Sequence, residues 1–110
     1  MRNAEQGVNS MKIYVTARVM GLCKRELGAT NRVCQRDNCL VVESTYEREE
    51  DLVCRCLVEF LYRNYYKKGM YSIPQDLIIE LFGLEGFKLL RNNYAIEYAG
   101  TLHGQRVWML

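Results

Sequence analysis

An α+β domain is what this sequence predicts, and three observations predict it. Residues 46–68 are rich in apolar side chains and carry helix signals at both ends. Two short helical segments follow, divided at Gly83. A pair of aromatic and β-branched stretches then flanks a glycine-bounded loop near residue 110, which reads as a hairpin. The expected architecture is a small single domain with a long central helix, two short helices, a C-terminal β-hairpin, and one or two strands ahead of the long helix.

The totals agree with that size. A chain of 110 residues suits one domain and can bury a core without covalent staples. Apolar residues make up 49% and charged residues 25%, an ordinary globular balance. No apolar run approaches the ~18 residues of a membrane span. Residues 1–10 are polar and no hydrophobic signal region follows them. They are expected to form a disordered leader before a single domain over 11–110, in a soluble, cytoplasmic protein.

Taken in order, Ile13–Val19 alternates apolar and polar residues and reads as a strand ended by Gly21. Leu22–Leu27 has room for one helical turn. The stretch GATNRVCQRDN (28–38) reads as a basic surface loop carrying Arg32 and Arg36. Cys39–Glu43 is a short apolar run and a second strand.

The helix over 46–68 has the fullest signals. Ser44 or Thr45 can cap it, and Glu47, Glu49, Glu50 and Asp51 crowd its first turn, where the helix dipole favours acids. Lys67 and Lys68 occupy the last turn and Gly69 stops it. Arg55, Glu59 and Arg63 make one polar stripe, and the apolar remainder spans about 240°, far beyond the ~100° of an ordinary surface helix. So wide an arc predicts a central helix, or one with a face left over for a second subunit, hence a homodimer.

In YSIPQDLIIELFG (71–83), Ser72 and Gln75 have capping-box spacing, with Pro74 where a missing N–H does no harm. Leu77, Ile78, Leu81 and Phe82 give the buried face and Gly83 the stop. A third helix follows over Glu85–Asn92, closed by Asn93 in the left-handed conformation. Tyr94–Ala99 and Gln105–Leu110 then flank a five-residue loop, with Ala99 opposite Gln105 and Ile96 opposite Trp108. The aromatic face of that hairpin should pack on helix 46–68.

From residue 46 onward the order helix, short extended piece, helix, turn, helix, hairpin resembles a winged helix-turn-helix over about 60% of the chain. The resemblance is one of topology. It implies that the last helix enters the major groove of duplex DNA while the hairpin wing touches backbone. On that implication Lys88, Arg91 and Asn92 are the groove candidates, with His103, Gln105 and Arg106 on the wing. The protein would be a DNA-binding regulator of transcription. Against it stand a short third helix and the local charge. Residues 69–110 hold three Lys/Arg against four acids, while residues 1–45 hold seven against four.

The other reading is a non-enzymatic interaction or inhibitor protein, docking on a protein partner through the apolar face of helix 46–68 or a sheet edge. The tyrosines of LYRNYYKKGMY interleave with Arg63, Lys67 and Lys68, a pattern that can stack single-stranded bases. Helical spacing instead assigns Tyr62 and Tyr65 to the apolar arc. No enzyme is expected: the one histidine, His103, lies on a loop, and no phosphate-binding loop, metalloprotease motif or nucleophile elbow is present. No cofactor is expected either. The five cysteines, at 23, 34, 39, 54 and 56, fit no zinc spacing, and Cys54 and Cys56 lie ~200° apart on a helix. They read as free thiols in a reducing compartment, with a Cys34–Cys39 disulfide or a partial metal site as alternatives.

Overall fold

Residues 10–27, 33–36, 38–43 and 47–110 are described in the computed structural model of the chain. Residues 1–9 of the expected leader 1–10, the loop at Arg32 and the caps at Ser44 and Thr45 lie outside the described residues, and Ser10, also expected in the leader, begins the first strand. The fold is α+β as predicted. Strand β1 (Ser10–Tyr14) leads into helix α1 (Ala17–Leu27), then hairpin β2 (Val33–Arg36) and β3 (Cys39–Glu43). Helix α2 (Glu47–Asn64) follows, then a 3-10 turn over Tyr66–Lys68 and strand β4 (Ile73–Pro74). Helix α3 (Gln75–Asn92) and the hairpin of β5 (Glu97–Leu102) and β6 (Gln105–Met109) complete it. Two antiparallel three-stranded sheets result, in the orders β1-β3-β2 and β4-β6-β5.

The N-terminal unit is more structured than its sequence suggested. The strand ends at Tyr14 rather than Val19, because Thr16 starts a helix: its Oγ1 accepts the Val19 N–H at 3.4 Å and its carbonyl accepts the Met20 N–H at 2.9 Å. Val19, Met20, Leu22, Cys23 and Leu27 then recur at helical spacing and are all buried. That periodicity starts within the alternation of residues 13–19, so the two patterns overlap. The expected basic loop contains β2. Arg36 pairs with Cys39, so the chain reverses within two residues, and Asn38 takes a left-handed φ of 59°.

Helix α2 is the central element, but its α-helical run closes at Asn64 instead of reaching Lys68. The Asn64 side chain donates to the Phe60 carbonyl at 2.9 Å and accepts from Arg18 at 2.8 Å. The chain tightens after it, with Lys68 N–H on the Tyr65 carbonyl, and Gly69 makes the predicted left-handed stop at φ 96°. Val53, Cys54, Cys56, Leu57, Phe60 and Leu61 are buried. Helix α1 and strand β3 pack on α2, as does α3. Most of the wide apolar arc is therefore covered within the chain, while Tyr62 on it stays 46% exposed.

The capping box does not form. Ile73 and Pro74 are held in β4, opposite Trp108 and Val107, so α3 starts after Pro74 and has no side-chain cap. Ser72 is exposed, and Gln75 instead accepts the Trp108 indole N–H at 3.1 Å. At the other end the left-handed residue is Tyr94 (φ 57°), not Asn93 (φ −94°). Asn93 donates its side-chain amide to the Leu89 carbonyl at 2.8 Å, and the Ala95 N–H reaches the Leu90 carbonyl at 2.9 Å.

The hairpin register also differs. Leu102 pairs with Gln105 across a two-residue turn, in which His103 (φ 53°) and Gly104 (φ 79°) are both left-handed. Such a turn matches strand twist better than a five-residue loop. A bulge between Tyr98 and Gly100 then brings Tyr98 opposite Trp108. The aromatic face packs on α3 rather than α2: Trp108 meets Phe87 edge-on at 5.2 Å and Tyr98 at 5.7 Å. One core joins the two sheets, with Ile13, Leu40, Leu57, Phe82 and Leu90 fully enclosed. Among the described residues no helix is long and apolar enough to cross a membrane.

Candidate nucleic-acid interface

Gly83 divides α3 into two helices. Its φ of 76° and ψ of 171° belong to a region that glycine alone occupies readily. The turn is wedged against β1, since a Cβ on Gly83 would lie 3.1 Å from the Tyr14 carbonyl oxygen. Beside it the Thr16 N–H donates to the Leu81 carbonyl at 3.0 Å. Gly86 makes the next close approach: a Cβ there would meet Phe82 Cβ at 2.5 Å and Ile13 Cγ2 at 3.2 Å. The N-terminal sheet thus braces the angle between the two helices.

That angle decides which face of residues 84–92 looks outward. Gly86, Phe87, Leu89 and Leu90 are buried, while Leu84, Glu85, Lys88, Arg91 and Asn92 are exposed. At 100° per residue the five exposed positions fall in an arc of about 120°. Lys88 stands 3.6 Å from the Glu85 carboxylate, which offsets part of its charge, in an exposed pair of little energetic weight. The Arg91 guanidinium lies over the Phe87 ring, 5.5 Å from its centroid.

The hairpin packs on the buried side of this helix through Trp108 and Phe87. Arg106 and Trp108 share one face of β6 by strand alternation, and Trp108 contacts Phe87. Arg106 is exposed opposite Thr101, and His103 is exposed at the hairpin tip. Gln105 is half-buried, and its side-chain oxygen is enclosed and meets no donor among the described residues. Of the six residues singled out from the sequence, Lys88, Arg91, Asn92, His103 and Arg106 are exposed and Gln105 is turned inward.

Arg18 and Arg25 of α1 belong to a different groove. Arg18 lies over Phe60 and bonds Asn64, and with Arg25 and Arg63 it lines a groove between α1 and α2. The exposed face of the third helix carries Lys88 and Arg91 against Glu85, and the hairpin carries Arg106 and Glu97.

Two arrangements escaped the sequence reading. Tyr62, Tyr66 and Tyr71 form a surface aromatic stack, with centroids 5.7 Å and 4.8 Å apart, beside exposed Met70. Only Tyr65 of that stretch packs against the core. The stack needs the 3-10 turn to bring Tyr71 back to Tyr66, so helical spacing could not show it. It lies away from the wing tip, since β4 begins opposite Trp108 and not opposite Gln105. The second is a contact between the thiols of Cys23 and Cys56, 3.0 Å apart and buried. Cys39 is a free buried thiol, and the side chain of Cys34, its alternative partner from the sequence, lies outside those described. Among the described residues no cluster of side chains could hold a metal ion. Compared with known protein families, curated proteins and solved structures, the chain matches none.

Proposed function

We propose that this protein is a small DNA-binding regulator of winged-helix-like design. Helix 84–92 lies in the major groove and the His103–Gly104 wing rests on the backbone. The observation that carries the reading is the outward arc of the third helix. Five consecutive-face positions are left without packing beside a two-residue wing, on an angle braced by the N-terminal sheet. Lys88 and Arg91 supply groove-side charge, Asn92 a base-edge donor and acceptor, and Arg106 a backbone contact.

The charge sets the strength. Three cations neutralising three phosphates give a salt slope of about −2.7, from ~−0.9 per phosphate on duplex DNA. Such binding is weak at physiological salt and depends on base contacts or on more than one copy of the protein. The test is fluorescence anisotropy on mixed-sequence duplex and single strand across a salt series from ~50 mM, where phosphate contacts are strongest. Duplex binding with that slope, flattened by Lys88→Ala, Arg91→Ala and Arg106→Ala, supports the reading. No binding to either strand form refutes it.

A second reading, a non-enzymatic protein that docks on a protein partner, is favoured by the tyrosine stack. Tyr62, Tyr71 and Met70 are 46%, 56% and 38% exposed, an apolar surface that the fold itself does not use. This surface, which includes Tyr62 at the end of α2, is the one through which such a protein would act.

A further inference from the structure

Cys23 on α1 and Cys56 on α2 come from two helices that pack side by side. Their sulfurs stand 3.0 Å apart, with one thiol donating to the other. That separation is about 1 Å longer than a disulfide bond. The two residues are not equivalent. Cys23 is wholly enclosed. Cys56 lines a solvent-open cavity of about 240 Å³ with Glu26, Leu27, Leu52, Arg55 and Glu59. A molecule the size of hydrogen peroxide that enters this cavity meets Cys56 and not Cys23.

We infer that Cys56 and Cys23 form a reversible oxidation site, at which a hydroperoxide closes a disulfide between α1 and α2. Cys56, as thiolate, attacks a peroxide oxygen. The S–O bond forms, the O–O bond breaks, and hydroxide leaves and takes up the thiol's proton as water. The Cys23 sulfur then attacks Cys56 Sγ. The S–S bond forms, the S–O bond breaks, and the second oxygen leaves as water with the Cys23 proton. Two thiols and one hydrogen peroxide give one disulfide and two waters, with two electrons passing from sulfur to oxygen. A thiol reductant reverses it by exchange.

The electrostatics agree with this order. The hydrogen bond between the two sulfurs holds the Cys56 thiol below its ordinary range, against burial and the Glu26 and Glu59 carboxylates, with Arg25 assisting. The same contact, with burial, holds Cys23 protonated. Cys54, two residues along α2, has no such partner among the described residues. Burial and the nearby Asp51 and Glu50 carboxylates push it up to about 11.

The test treats the full chain with hydrogen peroxide, blocks remaining thiols with a maleimide, and maps the peptides by mass spectrometry. A peptide pair linked through Cys23 and Cys56, lost on reduction, is the expected result. Cys54→Ser leaves it in place. In Cys23→Ser, oxidation stops at a sulfenic acid on Cys56 that dimedone traps; in Cys56→Ser no link forms and Cys23 is unmodified. The wild-type map decides even where a variant does not fold. Oxidation at Cys54 or Cys39 ahead of Cys56, a link only between separate chains, or a persistent Cys56 sulfenic acid in the unaltered protein each overturns the proposal.

Discussion

Replacing Gly83 by alanine should cost far more than one methyl group suggests. At φ 76° and ψ 171° the backbone is in territory that side chains avoid, and holding alanine there costs ~1–3 kcal/mol. The new Cβ would also sit 3.1 Å from the Tyr14 carbonyl oxygen, tighter than ordinary contact. Relieving it means shifting the end of β1, whose Tyr14 is paired with Cys39, or opening the turn and stretching the bond from Thr16 to Leu81. Either adds roughly 1 kcal/mol, the low end of overpacking costs. Against this, alanine stiffens the unfolded chain and returns ~0.4–1 kcal/mol. The net loss is about 1–3.5 kcal/mol by these ranges. Gly69→Ala is the control, because Gly69 is left-handed at φ 96° and a Cβ there meets nothing within 4 Å. It carries only the left-handed penalty of ~1–2 kcal/mol, less the same return. Urea denaturation followed by tryptophan fluorescence reads both, since Trp108 is buried against Phe87. A Gly83→Ala loss no larger than that of Gly69→Ala would refute the wedging of this turn against β1.

Other outcomes follow from the same packing. Leu57→Ala or Leu61→Ala, both fully enclosed on α2, should each lower stability by roughly 2–5 kcal/mol in the same denaturation assay. Gln75→Ala strands the Trp108 indole N–H and should cost ~1–3 kcal/mol. Ser72→Ala, at an exposed residue that caps nothing, should stay within ~0.5 kcal/mol. Cys54, raised from 9.0 to about 11, keeps its proton in the folded chain while the unfolded chain loses it. Stability should therefore fall as pH rises from 9 to 11, and Cys54→Ser should flatten that part of a pH-stability curve.

What the sequence determined by itself was local. The αL stop at Gly69, the division at Gly83 and the strand over Cys39–Glu43 rest on single-residue conformational preference or short-range pattern. Those forces act wherever the segment is placed, so the order of elements and the exposed Lys88, Arg91 and Asn92 were legible. Tertiary structure decided every point where two segments compete for one group. Gln75 has capping-box spacing, but the indole of Trp108, 33 positions along, takes its side chain. Ser72 loses its capping role because β6 draws Ile73 and Pro74 into a strand. The hairpin register follows from the twist-matched turn at His103–Gly104 and a bulge that sets Tyr98 opposite Trp108, which packs on Phe87. The wide apolar arc of α2 was read correctly as an arc, but its partner lay in α1, hidden within a stretch that also alternated like a strand. The sulfurs of Cys23 and Cys56, likewise 33 positions apart, meet only because those two helices pack. Periodicity reports which side of an element is apolar. Which neighbour covers it is settled by the competition among all such sides for one small core.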